Sequence, residues 1–153
     1  MKPVLHLVCC VIGLLLATTV HASGETTVEL ENAWVRILPP TQKNTAAYLT
    51  VRNTGETAVR MTGASADLAE RVELHDSVQV EGMQRMQQQA FVDVPAGGQV
   101  QFAPGGLHLM LLGLARMPAA GETIQLCLQL ESQTLCTEAE ARKSAGQATH
   151  HHH

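Results

Sequence analysis

Apolar and polar residues alternate along most of this chain, in short runs that turn residues interrupt. The pattern is cleanest in Thr123-Ile-Gln-Leu-Cys-Leu-Gln-Leu130. Successive side chains of an extended chain point to opposite faces. Ile124, Leu126, Leu128 and Leu130 therefore share an inner face, and Cys127 points outward. The same reading places strands at Val28 to Glu31, Trp34 to Leu38, Ala47 to Arg52 and Val59 to Thr62. Further strands are expected at Arg71 to His75, Met86 to Ala90, Val100 to Ala103 and Leu107 to Leu112. Between them lie turn signals: Pro39-Pro40, Asn53-Thr54-Gly55, Glu81-Gly82, Pro95 to Gly98, Pro104 to Gly106 and Ala120-Gly121. Many short strands at regular spacing, each bounded by Gly or Pro, predict an all-β sandwich or barrel. Ala64 to Ala69 is expected to make a brief helical turn. Periodicity fades from Lys143 to Thr149, so a mobile tail is expected over 143–153, ending in His150 to His153.

The first residues follow another logic. Met1-Lys2 is a short basic start, Leu5 to Val20 is mostly apolar, and Val20-His21-Ala22 has the small-x-small form of a cleavage site. This reads as a secretory signal peptide over 1–22, cut after Ala22, rather than a membrane anchor, because no stop-transfer segment follows. Cys9 and Cys10 fall inside it. Neither is read as sitting in a lipoprotein box, and both are expected to leave with the leader. One domain of ordinary size, 23–142, remains, long enough to bury a core.

Export puts the two remaining cysteines in an oxidising setting. Leu135 looks inward on the strand after Leu130, which turns Cys136 outward like Cys127. A tight turn at Glu131-Ser132 would set the two opposite each other. A cross-strand disulfide and a pair of free, half-exposed thiols both remain open, since the turn register decides between them and disulfide geometry is strict.

Charge excludes some partners. The chain carries 10 basic and 14 acidic side chains, net −4, and losing Lys2 with the leader makes the domain one unit more acidic. A mildly acidic surface is a poor match for nucleic acid or an anionic membrane. Aromatic residues make up only 3% of the chain, which also argues against stacking on bases.

Candidate chemistry lies in Gly106-Leu-His-Leu-Met110. Leu107, Leu109 and Leu111 would share the core face of this strand, leaving His108 and Met110 together on the other. A half-buried strand that carries them by chance is the plain alternative. Outside the leader and the tail, however, the chain has only one other histidine, His75, and Met86 follows it closely. Two imidazoles and two thioethers suit copper(I) far better than zinc, calcium or magnesium, because thioether sulfur is soft and uncharged. Thiolates would bind copper(I) more tightly, but an oxidising compartment ties them into disulfides. A blue-copper centre needs a Cys thiolate with two His, and neither remaining cysteine is spaced for one. No nucleophile, base and orienting group occur together, so the chain is not expected to be an enzyme.

The arrangement His75, ten residues, Met86, twenty-one residues, then His108-x-Met110 resembles the H-x10-M-x21-H-x-M signature of the PCuAC family of periplasmic copper chaperones. Further landmarks are Ala33-Trp34-Val-Arg36, Tyr48 to Asn53, Val72-Glu-Leu-His75 and Gly106 to Gly113. The resemblance implies a cupredoxin-like Greek-key β-sandwich in the periplasm, binding one copper(I) through His75, Met86, His108 and Met110. It implies delivery of that copper to the CuA centre of cytochrome c oxidase subunit II, or supply of other copper oxidases, with other copper chaperones as further partners. Met83 is expected to neighbour the site without ligating, and Met61 and Met117 to serve packing. Gly82, Gly105 and Gly106 serve turn geometry, and those turns are expected to gather the ligands at one end of the sandwich. His150 to His153 is either the remnant of an affinity tag or a native arm; as an arm it is expected to take copper(II) weakly.

Two rival functions use the same residues differently. A copper-sequestering protein would share the ligands and have no dedicated acceptor. A structural β-sandwich without metal would leave His75 and His108 far apart.

Overall fold

A computed structural model describes residues 27–145. The leader with Cys9 and Cys10, and the histidine run His150 to His153, lie outside the described residues. Ten strands form: β1 (Val28–Arg36), β2 (Thr45–Asn53), β3 (Val59–Ala66), β4 (Arg71–Val80), β5 (Met83–Gln88), β6 (Val92–Val94), β7 (Gln99–Phe102), β8 (His108–Leu112), β9 (Thr123–Leu130) and β10 (Thr134–Arg142). No helix occurs among the described residues. The all-β expectation holds. The helical turn expected at Ala64 to Ala69 does not form. Ala64 and Ala66 instead extend β3, because both are small enough to pack inward against β9, and only Asp67-Leu68 turns.

The strands pair in the order β5-β4-β8-β2-β1-β10-β9-β3-β6, with β7 also on β2 and a further contact from β3 to β4. That last pairing, Ala64 opposite Val72, closes the sheet on itself into a sandwich. All pairings are antiparallel except β1 with β10, which run parallel from Trp34 opposite Glu140 to Arg36 opposite Arg142. Two segments expected as separate strands, Val28 to Glu31 and Trp34 to Leu38, are one strand with a register shift between Glu31 and Trp34. Asn32 sits there with φ of 54°. Asn is one of the few residues that tolerates this left-handed conformation, so the bulge bends the strand without breaking it.

Inward-facing residues of every long strand build one core. Val35, Ala47, Leu49, Val51, Leu109, Leu111, Leu126 and Leu128 are buried from facing walls, with Phe102 and Ile124 filling the space between. Met61 is fully buried, as expected of a packing residue. Met117 packs against the core edge, and its sulfur accepts the Leu38 N–H at 3.4 Å.

On the opposite wall from the histidines, Cys127 and Cys136 stand directly opposite each other in the β9–β10 ladder, Cα atoms 4.0 Å apart, and are joined by a disulfide. The connecting turn is one residue longer than Glu131-Ser132, spanning Glu131 to Gln133, and the Leu130 N–H bonds the Gln133 carbonyl at 2.8 Å. The bond closes a loop of sequence separation 9. Cross-links of this kind stabilise by about 2–4 kcal/mol, with short loops toward the lower end. Oxidised protein unfolded without reductant should therefore show no reactive thiol, and a Cys127→Ala, Cys136→Ala double variant should unfold at lower denaturant. Two titratable thiols would remove the cross-link from the account.

The segment between β8 and β9 is clamped by Arg116, whose guanidinium bonds the Glu122 carboxylate, while the Ala119 N–H donates to the same group at 2.9 Å. The Arg116 bond chiefly, and the Ala119 bond next, hold Glu122 down to about 2. A carboxyl lowered in the folded state adds stability above its unfolded value and loses it as pH falls through the folded one. The clamp is thus intact at neutral pH and is lost between about pH 4.5 and 2. Carbon-13 NMR titration should find Glu122 moving up toward the ordinary carboxylate range in Arg116→Ala; an unmoved midpoint would contradict the clamp.

Candidate metal centre

Three paired strands build the site. In the β4–β8 ladder, His75 lies opposite His108 and Glu73 opposite Met110. In the β4–β5 ladder, Ser77 lies opposite Met86. Opposed residues share a face and alternate residues share it too. Glu73, His75, Ser77, Met86, His108 and Met110 therefore all stand on one face, while Leu74, Leu109 and Leu111 fill the core from the other. The sequence-based core face of β8 is confirmed for Leu109 and Leu111; Leu107 lies just before the strand and is only half-buried.

The expectation that turns gather these residues holds for His108, which begins β8 after the turn at Gly105-Gly106, and needs correction for His75 and Met86, which strand pairing places. His75 does not open a loop. β4 runs on to Val80, and Glu81-Gly82 makes a two-residue turn into β5, three residues earlier than the strand start expected at Met86. Both turn residues have positive φ, 51° and 78°, as a type I′ hairpin requires. The alternation in Val78 to Gln88 is too polar to signal a core strand, and every residue of β5 is indeed exposed. Met83 pairs with Val80, which puts it on the face of the hairpin away from Met86.

Burial grades across the site. His108 is 4% exposed, the His75 side chain 16%, and Met86 65%. A cleft of about 300 Å³ opens beside His108 and Met86, lined by Tyr48, Ser77, Met86, His108 and Met110 among others, and His75 lies outside its lining. The two imidazole centroids are 5.8 Å apart, so the separation that a metal-free structural sandwich predicted is absent.

The hydrogen bonds decide which ring nitrogens are free. His108 Nδ1 bonds the Gly106 carbonyl at 2.8 Å. A carbonyl only accepts, so Nδ1 carries the proton and Nε2 keeps its lone pair. His75 Nε2 bonds Glu73 Oε2 at 2.9 Å, which leaves the lone pair on Nδ1 of the neutral ring. His108 Nε2 and His75 Nδ1 are both buried and without a partner. Buried polar atoms are rarely left so, and two imidazole lone pairs beside two thioethers form a donor set that fits a soft metal ion. Among the described residues no three His, Cys, Asp or Glu side chains are arranged to hold a metal ion by themselves, so thioethers are the donors that can complete a site here.

Sequence reasoning passed over the groups that set these orientations. The Gly106 carbonyl takes the Ser77 N–H at 3.3 Å as well as the His108 ring, tying the turn before β8 to β4. Glu73 binds His75 with one oxygen and Arg71 with the other, at 3.0 Å. The His75 bond first, and the Arg71 bond second, hold the Glu73 carboxyl below its ordinary range. Glu73 was visible in principle, since it lies two residues before His75 and hence on the same face. Tyr48 backs the cleft, with its phenol pushed up by burial against the opposing pull of Arg36.

This fold is that of PCuAC domains. The copper-bound PCuAC domain from PmoF2 superposes with a TM-score of 0.65 at 19% identity, over 77% of this chain and 94% of that domain. The copper(I) form of DR1885 from Deinococcus radiodurans gives 0.63 at 30% identity, over 83% and 85%, and its apo form 0.61 at 27%, over 94% and 97%. The family described as "Putative lipoprotein LpqE-like" matches residues 28–140, and the chain belongs to this LpqE-like family. The curated "Putative lipoprotein Lxx21020" of Leifsonia xyli subsp. xyli is 35% identical over 103 residues, which is 67% of this chain and 61% of that protein. The chain thus matches less than two thirds of that relative's length.

The hairpin that carries Met86 depends on its turn. A side chain at Gly82 meets no neighbouring atom but has to adopt φ of 78°, at a cost of about 1–2 kcal/mol. Gly82→Val should speed amide exchange in β5 and the outer half of β4 and leave β9 and β10 unchanged. Uniform loss of protection, or none, would contradict a locally held hairpin.

Proposed function

We propose that this protein is an exported copper(I) carrier. It holds one ion through His75 Nδ1, His108 Nε2, Met86 and Met110, and passes it to a copper-oxidase assembly site in the periplasm. The proposed acceptor is the CuA centre of cytochrome c oxidase subunit II, in keeping with the family resemblance. The observation that carries the reading is the pair of buried, unpartnered imidazole nitrogens on the sheet face that also carries the two thioethers. The copper(I) form of DR1885 among the similar structures, and the word lipoprotein in the names of the family and of the Leifsonia relative, support copper handling outside the cytoplasm. The task is carriage and needs no turnover. The burial gradient suits it: His108 and His75 anchor the ion from below, and exposed Met86 is the donor that an incoming ligand replaces first.

Anaerobic copper(I) titration should give one tight equivalent, both for the full mature chain and for a chain ended at Gly146, which lacks the histidine run. His108→Ala should weaken binding more than Met86→Ala, because a rigidly held imidazole is lost rather than a rim thioether. Acid should weaken binding too, since protons compete for the same lone pairs. Mixing with apo subunit II domain should move the copper to it. Unchanged affinity in a Met86→Ala, Met110→Ala double variant would overturn the ligand set, and copper that stays on the carrier would favour a sequestering role.

A further inference from the structure

Glu73 has no place in the proposed ligand set, yet its geometry links it to one of the ligands. We infer that Glu73 is a positioning residue for His75: its carboxylate fixes the proton on Nε2 and so keeps Nδ1 as the lone-pair nitrogen turned to the site. The inference rests on the copper reading for its purpose, but not for its geometry.

The physical case has three parts. First, Glu73 and His75 are two residues apart on β4 and share a face, so the 2.9 Å bond between Oε2 and Nε2 is built into the strand. Second, the carboxylate is itself held. Arg71, two residues further back on the same face, binds Oε1 at 3.0 Å, so Arg71, Glu73 and His75 form a row along one strand. Third, His75 has no other hydrogen-bond partner for its ring: Nδ1 is buried and unpaired. Free imidazole exchanges its proton between the two nitrogens. A carboxylate on one nitrogen selects the tautomer with the proton there. In metal sites such a carboxylate also orients the ring and raises its donor strength, and its loss typically weakens metal binding by about 10–100-fold. His108 reaches the same end by another route, through the Gly106 carbonyl on Nδ1. The two imidazoles therefore keep opposite nitrogens free of hydrogen bonds, Nδ1 in His75 and Nε2 in His108, with ring centroids 5.8 Å apart.

The test reads the ring nitrogens directly, by long-range proton–nitrogen NMR of the metal-free mature protein at neutral pH. His75 should be in the Nε2–H form and His108 in the Nδ1–H form. Glu73→Val should leave amide spectra of β9 and β10 unchanged, let the His75 tautomers mix, and weaken copper(I) binding by about 10–100-fold. Glu73→Gln keeps an acceptor oxygen, so it should retain the Nε2–H form and recover most of the affinity. A wild-type His75 in the Nδ1–H form would overturn the inference, as would a Glu73→Val protein with an unchanged tautomer. Should Glu73→Val fail to fold, the wild-type and Glu73→Gln spectra still decide. The tautomer is read without metal, so failure of the copper reading would show as absent copper(I) binding with the ring assignments intact.

Discussion

Everything at the candidate site depends on one pairing, His75 opposite His108 across the β4–β8 ladder. A sheet has a side-chain period of two, so a slip of one residue would send either imidazole into the core and bring a leucine out. The core prevents the slip. Leu74 on β4 and Leu109 and Leu111 on β8 are buried on the other side of the same strands, and any shift would expose them. The hydrophobic packing that folds the sandwich is thus also what sets the two imidazoles 5.8 Å apart.

From that fixed pair the site grades outward. Met110 shares β8 with His108, between β4 and β2, and is half-buried. Met86 comes from β5, a strand that contributes nothing to the core and is held only through its hairpin with β4. Buried and exposed side chains of the proposed ligand set thus sit on the same face. A carrier needs this combination, since binding calls for prepared ligands and release calls for one that can be displaced. The Cys127–Cys136 disulfide takes no part in this. It staples the β9–β10 hairpin on the far wall.

Much of this was legible in the chain. Strict alternation gave β9 its observed bounds, and the leucines of β8 indicated its core face. The His75, Met86, His108, Met110 spacing pointed to residues that the fold brings to one face. Other features were hidden for physical reasons. β5 was placed late because Met83 to Gln88 is polar on both faces and carries no burial signal. The break expected in β1 is a bulge, which a period-two reading cannot distinguish from a loop. Ala64 to Ala66 look helical by propensity, and pairing with β9 overrides it. Partners of the imidazoles were missed because a backbone carbonyl such as that of Gly106 has no sequence signature. The role of Glu73 has no sequence signature either, since an acidic residue two positions from a histidine on a strand is ordinarily a solvated surface charge.

The proposed carrier role stands on the two imidazoles and two thioethers acting as one ligand set. X-ray absorption at the copper edge of the anaerobic, copper(I)-loaded mature protein tests it most directly. Copper–sulfur scattering from two thioethers together with two imidazole nitrogens is the predicted result; a shell of nitrogen and oxygen alone would contradict it.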